Sequence, residues 1–135
     1  MSAVGEIYER FNARDMEGCL ALLSDDFVLE DVAAGLTFNG PEGFREWVEP
    51  FLRAMPDSST EVTSVVDAGE WVATEHTGRG THTGPLATPG GEIPATGRSV
   101  EIRFGEFFRL RDGKIAMLRA YYDTAGIMRQ LGVDG

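Results

Sequence analysis

The chain has 135 residues, 42% of them hydrophobic and 10% aromatic, enough for one globular domain with its own core and too apolar for disorder. Twelve basic against 22 acidic residues leave a net charge of -10, which repels phosphate backbones and anionic membrane, so neither nucleic acid nor a membrane surface is an expected partner. The single cysteine, Cys19, excludes an internal disulfide framework. No basic and apolar leader opens the chain and no apolar run nears a membrane span, so the default location is cytoplasmic.

Val4, Ile7, Tyr8 and Phe11 follow the i, i+3, i+4, i+7 spacing of an amphipathic helix. Met16, Cys19, Leu20 and Leu23 repeat it, with Asp15 placed to cap this second helix. Phe27 to Val32 reads as a strand, with either Glu30 or Asp31 turned to the core. Asn39-Gly40-Pro41 starts a third helix, whose buried stripe is Phe44, Trp47, Val48 and Phe51. Pro50 is expected to kink that helix or end its regular part, and Pro56 to forbid its continuation. Strands follow at Thr60–Asp67 and Trp71–Thr83, then a loop from Gly84 to Gly97 containing Pro85, Pro89 and Pro94. Ser99–Arg111 and Lys114–Asp123 form a hairpin about the type I′ signal Asp112-Gly113, and a short helix closes the chain at Ala125–Leu131. Helices segregated from a mainly antiparallel sheet make an α+β domain spanning residues 1–135.

A two-residue turn sets Arg111 opposite Lys114. Counting back pairs Leu110 with Ile115, Phe108 with Met117, Glu106 with Arg119, Phe104 with Tyr121 and Ile102 with Asp123, all on one face. That face is apolar apart from Glu106, Arg119, Asp123 and the Tyr121 hydroxyl, so it is the expected core face, with a polar cluster at the floor of a cavity. Glu106 and Arg119 can pair across the strands, whereas Asp123 has no obvious partner and desolvation would suit it to proton transfer. Asp123 as a cap for the last helix is the structural alternative, and a bulge in the hairpin would shift the whole register. Glu75 and His76 must face opposite ways, and the pattern does not choose between them. His82 can satisfy backbone groups beside the loop, and His76 and His82 do not have a ligand spacing that implies metal. Tyr8 and Trp47 lie on helical stripes, where packing competes with ligand contact. No phosphate-binding loop, dinucleotide fingerprint, GxSxG or CxxC motif is present.

The ordered segments NGPEGF, AMPD, GTHTG, PATGR, DGKI and YYDTAGIMRQLG resemble the SnoaL-like polyketide cyclases of the nuclear transport factor 2-like superfamily, relatives of ketosteroid isomerase. The resemblance spans nearly the whole chain. It implies a cone-shaped fold, a curved mainly antiparallel sheet wrapped by N-terminal helices around an apolar pocket. It also implies cofactor-independent acid/base chemistry on a polyketide or related carbonyl compound, by enolisation and aldol-type cyclisation, in a homodimer. The aspartate at the position of Asp123 is the acid/base in those cyclases; they carry a histidine two residues earlier, where this chain has Tyr121. The expected site is therefore Asp123, Arg119 and Glu106 as catalytic groups. Tyr121, Glu75, His76, His82, Trp47, Phe104, Phe108 and Tyr8 are expected around a small hydrophobic substrate. Two other classes stay open: water activation by Asp123, Arg119 and Glu106, as in limonene epoxide hydrolases, and a non-catalytic carrier of a hydrophobic ligand.

Overall fold

A computed structural model describes residues 2–88 and 90–133. In chain order the elements are α1 (Ser2–Asn12), α2 (Met16–Leu20), β1 (Leu23–Asp31), β2 (Leu36–Asn39), α3 (Gly40–Ala54), β3 (Ser59–Asp67), β4 (Trp71–Thr81), β5 (Leu86–Thr88), β6 (Gly91–Ile93), β7 (Ser99–Arg111), β8 (Lys114–Tyr122) and α4 (Thr124–Leu131). The α+β class expected from the sequence holds, as a curved sheet of six strands in the order β2-β1-β8-β7-β4-β3. Every pairing in it is antiparallel except β1 with β8, which is parallel. Bulges in β3 and in the β7–β8 hairpin bend the strands, and such bends let a sheet wrap a core.

Local chemistry accounts for the helix ends. The Asp15 carboxylate accepts a hydrogen bond from the Gly18 amide at 2.9 Å and caps α2. The third helix runs through Pro50 to Ala54, and the chain turns before Pro56. Three strands went unread in the sequence. β2 is only four residues long, and the expected loop at 84–97 carries the small β5–β6 ribbon. Pro89 of that loop lies outside the described residues.

One face of the sheet is covered. Val4, Ile7 and Tyr8 of α1 and Phe44 and Val48 of α3 pack with Phe27, Leu29, Phe108 and Leu118 of the strands. Each large apolar side chain enclosed in this way contributes about 1.5–3 kcal/mol. A second cluster joins Ile127 and Leu131 of α4 to Val100 and Ile102 of β7 and to Met55 after α3. Cys19 belongs to the first cluster at 1% exposure. Burial, then the Asp15 carboxylate, push its thiol up to about 11. At pH 8 about one molecule in a thousand then carries a thiolate. The native protein is expected to resist iodoacetamide at pH 8 and to label rapidly once unfolded in guanidinium, as mass spectrometry of the alkylated chain would read.

Candidate active site

Glu106 is the centre of the candidate site. On β7 the alternation Ile102, Phe104, Glu106, Phe108 faces inward, and Glu106 is 3% exposed. Its cross-strand neighbours are Thr74 on β4 and Ala120 on β8. The small Ala120 side chain leaves room beside the carboxylate. Tyr8 reaches in from α1, its hydroxyl donating to Glu106 Oε1 at 2.5 Å. A phenol has one proton, so the 2.8 Å contact between Tyr8 and Thr74 has the Thr74 hydroxyl as donor. Burial first, then the charge of Glu106 and the hydrogen bond to it, hold the Tyr8 hydroxyl far above its ordinary pKa, so it remains a neutral donor at any working pH.

His76 completes the group. It faces inward from β4, 5% exposed, with Nδ1 3.2 Å from Glu106 Oε1. The approach is out of line for a hydrogen bond, and Nδ1 has no partner among the described residues. A hydrogen on Nδ1 would relieve the repulsion between two lone pairs so close. Its other face is fixed by stacking on Phe104, with centroids 4.6 Å apart and planes at 7°.

These groups border an apolar cavity of about 110 Å³. Ile7, Phe11, Trp47 and Phe51 line it from the helices, and Phe104, Phe108 and Leu118 from the sheet. Beside it stands a second buried carboxylate, Asp31, 2% exposed. It accepts from Trp47 Nε1 at 3.0 Å, the Tyr122 hydroxyl at 2.6 Å and the Ala34 amide at 2.9 Å. Asp31 thus anchors the indole that walls the cavity. Burial and the neighbouring Asp31 carboxylate keep the Tyr122 phenol protonated. A carboxylate with an adjacent phenol and imidazole in a dry, aromatic chamber can accept and return a proton.

The family model of the SnoaL-like polyketide cyclases matches residues 2–131. This chain belongs to that family. Among solved structures it is similar to IdmH from Streptomyces antibioticus, provisionally called a polyketide cyclase, at 30% identity, with 97% of this chain and 96% of that one covered and a TM-score of 0.80. It is also similar to AclR from Streptomyces galilaeus, provisionally called a hydroxylase, at 25% identity, 96% and 92% coverage and a TM-score of 0.81. A protein from Catenulispora acidiphila with a ketosteroid isomerase-like fold matches at 19% identity, 98% and 93% coverage and a TM-score of 0.80, a likeness of fold alone. No curated protein matches the chain.

Within this SnoaL-like fold the expected site residues divide sharply. Glu106, His76, Tyr8, Trp47, Phe104 and Phe108 all line the cavity. Asp123 does not stand on the inner face. It follows β8 as the N-cap of α4, accepting from the Gly126 amide at 2.9 Å, with its side chain 67% exposed and 3.3 Å from Arg129. Arg119 and Tyr121 point to the opposite, outer face. Arg119 lies beside Glu30 at 3.8 Å and over the Trp71 ring, and Tyr121 packs edge-on against Phe107. The cause is one extra residue. The hairpin pairs Arg111 with Lys114 and Leu110 with Ile115 as expected, but Arg109 then faces Met117, leaving Ala116 as a bulge. Beyond it every β8 side chain changes face, so Leu118, Ala120 and Tyr122 turn inward. Glu106, Arg119 and Asp123 therefore do not assemble, and the water-activating triad is not formed.

Glu75 is exposed on the outer face of β4, opposite to His76. His82 is buried away from the cavity, where its Nδ1 accepts from the Thr96 amide at 3.2 Å and meets the Thr96 hydroxyl at 3.0 Å. It pins the connector, the backbone role open to it from sequence. Sequence reasoning missed Thr74, and by setting Tyr121 inward its register left Tyr122 on the outer face. Two signs pointed inward: the apolar alternation Leu118, Ala120, Tyr122, and the arginine on the competing set. Among the described residues no group of three or more His, Cys, Asp or Glu converges as a metal-binding set. No helix there is long and apolar enough to cross a membrane.

Proposed function

We propose that this protein catalyses proton transfer on a hydrophobic carbonyl compound of polyketide type, as a single-domain, cytoplasmic, cofactor-independent cyclase or isomerase, with Glu106 as the acid/base. The observation that carries this reading is a carboxylate 3% exposed at the wall of an aromatic cavity, accepting from a phenol whose oxygen is 2.5 Å away. Glu106 takes the proton from the carbon next to the carbonyl. The electron pair of that C–H bond becomes the enolate. A protonated Glu106 is a weaker acceptor, which frees the Tyr8 O–H to turn toward the enolate oxygen, and His76 Nδ1–H supplies a second donor. The enolate then attacks a second carbonyl, or is reprotonated elsewhere, and Glu106 returns its proton to the resulting oxygen or carbon.

The test needs no natural substrate. In D2O, 2-tetralone should exchange its α-protons faster with the protein than in buffer alone, as followed by NMR. Exchange at the buffer rate, together with a small molecule that co-purifies in native mass spectrometry, would transfer the reading to a ligand carrier.

We further propose a homodimer through the outer face of the sheet. Phe107 and Tyr121 pack edge-on there, 44% and 42% exposed, and Trp71, 37% exposed, stands on the same face beneath Arg119, on an otherwise acidic protein. Leu118 and Tyr122 lie inside and take no part in it. Sedimentation velocity should give a dimer for the natural protein and a monomer for Phe107→Glu. A natural protein that sediments as a monomer contradicts the proposal.

A further inference from the structure

We infer that Gly78 sets the length of ligand the cavity accepts, and that its missing side chain is a specificity determinant. The inference rests on the cavity being the substrate site, as proposed above. Gly78 lies within β4 on the inner face, two residues beyond His76, and lines the cavity. Glycine inside a strand weakens it and calls for a reason. The usual reasons do not apply. Its φ is not in the left-handed region, since Gly78 is not among the positive-φ glycines. Close backbone packing does not demand it either: a Cβ built there would lie 3.4 Å from Phe104 Cε1 and 3.8 Å from the Ile102 carbonyl, ordinary contacts. Gly80, the next inward residue, is a contrast. A Cβ there would come within 2.9 Å of Met55 Cβ, so Gly80 is required by the turn after α3.

Gly78 thus has room for a Cβ but little beyond it. A longer side chain meets Phe104, and Phe104 cannot swing aside, because His76 stacks on one side and Tyr122 lies 4.9 Å away. The added atoms would enter the cavity. Thr74 and His76 carry the hydrogen-bonding end of the site, and the same strand face then continues bare at Gly78 toward the residues after α3. From His76 to Gly78 the strand rises about 6.6 Å. A two-ring molecule held at Glu106 would stop near His76, whereas a longer one passes over Gly78.

The test compares 2-naphthol with the larger 1-hydroxypyrene as binding probes, read by ligand fluorescence, against the natural protein, Gly78→Ala and Gly78→Val. Valine favours a strand but crowds Phe104, so thermal unfolding with circular dichroism should show Gly78→Val folded, with a Tm within about 5 °C of the natural protein. Binding of 1-hydroxypyrene should weaken by about tenfold or more in Gly78→Val, while 2-naphthol changes by less than about twofold, with Gly78→Ala between. Equal losses for both probes, unchanged binding of 1-hydroxypyrene, or failure of either probe to bind the natural protein would overturn the inference. Because binding is read, size selection can hold even if Glu106 proves not to move protons, so the two failures are distinguishable.

Discussion

Glu106→Gln is expected to lower catalysed exchange or turnover by about 10²–10⁴-fold, the usual worth of a positioned acid or base. The substitution removes the proton acceptor and little else. Glutamine has nearly the same shape, and its amide oxygen can still accept from Tyr8, so the fold and the bound pose should survive. Asp123→Asn is the companion. Asparagine also caps helices, and the side chain there is 67% exposed, so this variant should keep activity within about twofold. Measuring both by α-proton exchange, with circular dichroism to verify folding, separates the two carboxylates. Full activity in Glu106→Gln, or collapse in Asp123→Asn, would remove Glu106 from the mechanism.

The largest stability effect should come from Asp31→Ala. Asp31 is 2% exposed and accepts three hydrogen bonds, from Trp47, Tyr122 and the Ala34 amide. Alanine leaves the indole N–H and the phenol O–H facing an empty space where water does not reach freely. Each orphaned donor costs about 1–3 kcal/mol, so a total loss of about 3–5 kcal/mol is expected. For a chain of this size that lowers Tm by about 10–20 °C. Asp31→Asn keeps one acceptor and should lose roughly half as much. Calorimetry would show both. A Tm for Asp31→Ala within about 2 °C of the natural protein would mean that the network contributes nothing. Ligand affinity should fall along with stability, because Trp47 is held in the cavity wall by this carboxylate.

Much of this was legible in the residues, and the errors have physical causes. The amphipathic spacings located α1 and α3, and Asp112-Gly113 located the hairpin turn, where both residues do take positive φ, 52° and 77°. The same turn led to the correct first two pairs of the hairpin. Strict alternation then carried the register past Ala116, where the strand has its extra residue, and a slip of one reverses every face. That slip put Arg119 in the core, an unfavourable result that was itself a sign of the bulge. Glu106 was placed on the inner face correctly because β7 keeps its alternation. The choice of Asp31 over Glu30, and of His76 over Glu75, was not accessible, since each depends on a pairing partner far away in sequence. The β1–β8 pairing is the extreme case, joining Glu30 to Arg119 with no local signal.

That parallel pairing has a kinetic consequence. β8 is held between β7 and β1, so the centre of the sheet is assembled from opposite ends of the polypeptide. Such long-range closure must overcome loop entropy before it is rewarded, and it slows folding. On the ribosome, Tyr8 and His76 emerge well before the segment bearing Glu106, and β8 follows later still. The complete cavity therefore cannot exist in a partly synthesised chain, and ligand binding should serve as a late reporter of successful refolding.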